Sequence, residues 1–185
     1  MPEHVAELIT DDHRRFEDLI RTVRDTTADR ASALAELSTL LIAHAEAEEH
    51  EVYPALERTD AADGEEVEPH PITAALPLVL ETDLDDEEFP ERLHELSEVL
   101  AHHIDEEERD LLNGAREELD PAEAAELGRR FLAARQEQID EGCGSLADVR
   151  SEQHPDGLDH LDLAQLSFLA AQQKVEGRSS MNTGE

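Results

Sequence analysis

One stretch of this chain occurs twice. Residues 34–49 read LAELSTLLIAHAEAEE, and residues 93–108, 59 positions on, read LHELSEVLAHHIDEEE. Eight of the 16 aligned positions are identical, among them Leu37/Leu96, Leu41/Leu100, His44/His103 and Glu48/Glu107. In each copy a histidine and a glutamate stand four residues apart at the end of a leucine stripe. Four residues on an α-helix is roughly one turn plus 40°, so the two side chains share the face of the stripe. That face points to a core. Packing alone gives no reason to repeat His-x-x-x-Glu on an inward surface. Two half-sites for a pair of metal ions do.

The remaining pattern is helical and wraps around this repeat. A first helix is expected over residues 3–25, carried by Val5, Leu8, Ile9, Phe16, Leu19, Ile20 and Val23. The second, over 31–56, holds the first copy and should kink or stop at Pro54. A third, over 68–81, has Pro69 and Pro71 where a first turn tolerates them, and Pro77 where a kink or an early end is expected. A fourth, over 91–118, holds the second copy. Asp120-Pro121-Ala122-Glu123 then gives a capped start for a fifth helix running to about Asp140, with Gly142 as its stop. The expected division is a four-helix bundle over 1–119, a packed fifth helix over 120–142, and an extension over 143–185. That extension carries an amphipathic segment at 161–175 and a disordered tail. The fold class is all-α: an antiparallel up-down bundle with additional C-terminal helices.

Composition excludes several classes of function. The 185 residues hold 48 acids against 15 Lys and Arg, a formal charge of −33 spread along the whole length. No basic patch exists to meet phosphates, so nucleic acid and anionic membrane surfaces are excluded as partners. Acid distributed in this way fits a surface adapted to high salt, where like charges are screened. Cys143 is the only cysteine, so neither an intrachain disulfide nor a thiolate cluster can form. No hydrophobic signal region opens the chain and no apolar run approaches the ~20 residues that span a bilayer. The cytoplasm is the expected location. Aromatic residues make up only 3%, so the core must be built from aliphatic side chains.

The first and third helices each add a histidine. His13 is followed by Phe16, Leu19 and Val23; His70 is followed by Thr73, Leu76 and Leu80 at the same three spacings. Two hairpins, each reading His and then His-x-x-x-Glu, can converge on a dinuclear site in a bundle core. Imidazole and carboxylate donors suit divalent iron, manganese or zinc. His102 is the alternative to His103, and Glu49, Glu108 and Tyr53 stand beside the candidate ligands or as substitutes for them. His50 and His94 fall on the outer face.

Taken together, Asp12-His13, His44-x-x-x-Glu48-Glu49 leading to Tyr53-Pro54-Ala55-Leu56, His70, and His103-x-x-x-Glu107-Glu108 resemble the hemerythrin/HHE cation-binding family over about residues 5–118. The resemblance implies a four-helix bundle around a non-haem di-iron centre, two iron ions with a bridging oxo, hydroxo or water. By the same carry-over the ligands are His13, His44, Glu48, His70, His103 and Glu107. Ala74 stands where oxygen carriers place a further histidine, and the last helix reads His-x-x-x-Glu rather than His-x-x-x-x-Asp. The pattern is nearer to the branch of sensors and repair proteins, although the cysteine-bearing module of the repair proteins is missing. The expected function is to bind metal and to bind or sense O2 or NO, with no catalytic residue assigned. A di-iron enzyme acting on peroxide, O2 or NO, or an iron-storage protein, is the alternative. Residues 143–185 are the candidate contact for a homodimer.

Overall fold

The computed structural model describes residues 4–56, 71–147 and 149. Every regular element among them is helical: α1 (Val5–Arg24), α2 (Arg30–Ala47), a π-helical turn (Glu48–Val52), α3 (Tyr53–Leu56), α4 (Pro71–Glu81), α5 (Phe89–Arg109), α6 (Leu111–Glu118) and α7 (Pro121–Glu141). No helix among the described residues is long and apolar enough to cross a membrane.

Local chemistry sets the ends. The Asp29 carboxylate accepts from Ser32 N–H and starts α2. At α7 the expected capping box is complete: Asp120 accepts from the backbone of Ala122 and Glu123, and Glu123 accepts from Asp120 N–H at 3.2 Å. Gly142 closes α7 in the left-handed region at φ 85°, a conformation that costs a glycine little.

Three expectations need correction. The helix around the first repeat copy does not simply kink at Pro54. It widens one turn earlier, and Tyr53 N–H returns to the Glu48 carbonyl. Pro54 has no N–H to give the carbonyl four residues back, and its ring crowds that carbonyl. A five-residue hydrogen-bond spacing gives that ring more room. The helix expected over 91–118 divides at Asp110 (φ −103°), whose carboxylate is forked by Arg109; the ladder resumes with Gly114 N–H on Asp110 O at 3.0 Å. At Pro77 α4 neither stops nor shortens but continues to Glu81. Leu76 and Val79 on either side are wholly buried, so tertiary packing outweighs the lost backbone bond.

Helices α1, α2, α4 and α5 form the bundle. Contacts run in opposite order along neighbours: Asp12 meets His44 while Arg15 meets Glu36, and Thr10 meets Arg116 while His13 meets Glu107. So α2 and the consecutive helices α5 and α6 run antiparallel to α1. Helix α7 lies on α1 and α2, also antiparallel to α2, with Arg130 on Glu51 and the Cys143–Gly144 backbone on Thr39 and Ser38. Two apolar clusters fill the interior. One gathers Phe16, Leu37, Leu41, Leu76, Phe89, Leu96 and Leu100; the other gathers Val5, Ile9, Val52, Leu56, Leu112, Leu127 and Phe131. The buried polar side chains His13, His44, Glu48 and Glu107 belong to neither cluster, although their neighbours in sequence belong to both.

Candidate metal centre

The leucine stripe that buries α2 also buries His44, and the matching stripe of α5 buries Glu107. His13 comes from the inner face of α1, and Glu48 from the first residue of the π-helical turn. One donor atom from each of these four residues lies within 4.8 Å of every other. His44 Nε2 is 3.1 Å from Glu48 Oε1, and His13 Nε2 is 3.2 Å from Glu107 Oε2. His103 Nε2 stands 3.4 Å from the same Glu107 oxygen. The second copy's glutamate therefore lies between a histidine of its own helix and one of the first hairpin.

These are close charges without good hydrogen bonds. His13 Nε2, His44 Nε2, Glu48 Oε1 and both Glu107 oxygens are buried and make no hydrogen bond among the described residues. Buried polar atoms left in that state cost free energy, and native interiors rarely contain several together. The outward nitrogens are satisfied by carboxylates: Asp12 Oδ2 lies 3.2 Å from His44 Nδ1, and Glu108 Oε1 lies 3.0 Å from His13 Nδ1. With the proton on each Nδ1, both Nε2 lone pairs face the cluster, as metal-binding imidazoles require. Tyr53 Oη donates to Glu48 Oε2 at 3.3 Å. The edges of Phe16 and Phe131 flank the His44 ring at centroid distances of 5.1 and 5.6 Å.

The electrostatics fit a site built for positive charge. Burial disfavours the charged form of His44, but Glu48 and then the bond to Asp12 outweigh it and hold its pKa up to about 10. His13 is raised as well: burial opposes the charge, and Glu107 overcomes it. An ordinary ion pair would lower its acid. Glu48 instead rises to about 6, because burial and the adjacent Glu107 charge exceed the pull of His44. Burial pushes Glu107 up too, yet His103 and His13 bring it well below the usual carboxylate range. Burial, followed by the Glu48 charge, drives the Tyr53 phenol far above its ordinary range, so it stays a donor. Two carboxylates crowded against protonated imidazoles, with few hydrogen bonds, are what a cation would neutralise.

The family model of the hemerythrin HHE cation binding domain matches residues 4–115. The chain belongs to the hemerythrin HHE family. No curated protein and no solved structure matches it. In this cation-binding domain the residues expected as ligands are placed as follows. His13, His44, Glu48 and Glu107 are brought together, with His103 at their edge and 14% exposed; His70 lies outside the described residues. Of the alternates, His102 must be set aside: it is 74% exposed and pairs with Glu106. Glu49 is exposed as well, whereas its repeat partner Glu108 reaches His13. The π-helical turn begins one residue before Glu49, so the two copies diverge at that point. His50 and His94 are exposed, as their register predicts. Two contributors went unassigned from the sequence, Asp12 and Arg135. The signal for Asp12 was its place beside His13. For Arg135 it was the position four residues after the buried Phe131.

Proposed function

We propose that this hemerythrin HHE domain holds a pair of iron ions in its bundle core and reversibly binds O2 or NO there. His13, His44, Glu48, His103 and Glu107 are the proposed ligands, and His70 completes the set by sequence register alone. The observation that carries the reading is the convergence of buried imidazole and carboxylate atoms of His13, His44, Glu48 and Glu107 that make no hydrogen bond among the described residues. Imidazole with carboxylate is a donor set that iron accepts. When bound, iron supplies a redox-active centre with an exchangeable position for a small molecule.

The chain's own groups do the rest. Glu107, between His13 and His103, is the carboxylate best placed to serve both ions. Asp12 and Glu108 fix the tautomers of His44 and His13. Tyr53 restrains one oxygen of Glu48. Phe16 and Phe131 keep water from the flanks of His44.

The test is an absorption spectrum of the iron-loaded protein cycled between argon and O2, repeated with NO. Reversible bands without consumption of O2 support the proposal. Steady turnover of peroxide or O2 would assign an enzyme instead, and iron well above two per chain would assign storage.

A further inference from the structure

We propose that Arg135, on α7, is a positioning residue for the metal centre, acting through Asp12 on His44; this rests on the metal-centre reading above. Arg135 Nη2 donates to Asp12 Oδ1 at 2.9 Å, and its Nε sits 2.7 Å from Oδ2 as a close charge pair. The other face of Oδ2 lies 3.2 Å from His44 Nδ1. Arg135 and Asp12 are only 18% and 14% exposed. A buried guanidinium is costly unless paired, and the pairing here fixes the plane of a carboxylate that also orients a ligand.

Helix α7 lies beyond the part of the chain matched to the family, which ends at residue 115. It is added to the bundle and yet reaches the centre. Arg135 holds Asp12 in line with Nδ1, so that Nε2 of His44 faces the cluster. Its charge also draws density from the carboxylate, which limits how strongly Asp12 polarises the imidazole.

The experiment uses the full chain with Co(II) as the only added metal and compares wild type, Arg135→Leu, Arg135→Lys and Asp12→Asn. Readouts are Co(II) affinity, ligand-field absorption bands, and circular dichroism for fold. Arg135→Leu should keep its helicity, bind Co(II) roughly 10–100-fold more weakly and shift the bands. Arg135→Lys, which keeps the charge but not the fork, should recover part of both. A purely structural tie would lower the melting temperature and leave affinity and bands at wild-type values, and that result overturns the proposal. If Arg135→Leu does not fold, Asp12→Asn decides: weakened binding with shifted bands supports the proposal, and wild-type behaviour overturns it. Failure of the wild-type chain to bind Co(II) would overturn the metal-centre reading and this inference together. Normal wild-type binding with unaltered variants would overturn only the role of Arg135.

Discussion

Glu107 Oε2 lies 3.2 Å from His13 Nε2, so the second copy of the repeat completes its contacts on the opposite hairpin. The duplicated elements do not form two separate sites; they interlock across the bundle axis. Removing one member should therefore damage the whole centre. His44→Ala, His103→Ala and Glu107→Ala should each lower bound iron by more than the roughly 10–100-fold expected for an outer hydrogen-bond partner. His94→Ala, on an exposed position, should leave iron content unchanged. Metal analysis after gel filtration reads all four variants.

The pH dependence has a defined sign. His44 is held up to about 10 in the metal-free protein because Glu48 and Asp12 together outweigh the effect of burial. A raised histidine stabilises the fold fully below its unfolded value, about 6.5, and that contribution is lost as pH rises through the folded value. The melting temperature of chelated protein should thus fall between about pH 7 and pH 10 from this group. Metal must displace the same proton, so metal binding at pH 7 should release protons, and apparent affinity should rise with pH. Calorimetry in buffers of different ionisation enthalpy measures the release. A melting temperature of metal-free protein that climbs from pH 7 to 10 would contradict the assignment.

Much of this was legible in the sequence. The repeat placed His44 with Glu48 and His103 with Glu107 on inward faces, because leucine spacing and ligand spacing share one helical period. The capping box at Asp120 and the stop at Gly142 were also readable, because a cap is a local pattern. The asymmetry between the copies was not. Glu49 stands inside a π-helical turn and is exposed where its repeat partner Glu108 is not, and no helical periodicity counts a five-residue hydrogen bond. Arg135 was hidden for another reason: its partner Asp12 lies 123 positions away, and only the docking of α7 brings them together.

Docking of α7 should be energetically substantial. Phe131 is wholly buried and meets the His44 ring edge-on at 89°. Truncation of such a residue to alanine removes transfer energy and leaves a cavity, at a cost of about 3–5 kcal/mol. Chemical denaturation of Phe131→Ala should show that loss. A change below about 1 kcal/mol would mean that α7 is only loosely attached.

The two glycines after α7 should respond differently. Gly142 has φ 85° and open space around an added Cβ, while at Gly144, φ 90°, the Cβ would come within 2.5 Å of Thr39 Cα. Gly142→Ala should cost about 1 kcal/mol, the left-handed penalty alone. Gly144→Ala should cost more, because the backbone of α2 blocks the position and the bond from Ser38 Oγ to Gly144 O would be displaced. Paired thermal melts decide; equal losses would contradict the close approach.

If both halves of the repeat hold cations inside the bundle, an anomalous difference map at the iron edge, from crystals of the iron-loaded protein, will show a pair of peaks enclosed by His13, His44, Glu48, His103 and Glu107. Peaks only at outer pairs such as His50 with Glu46, or none at all, would overturn the metal centre.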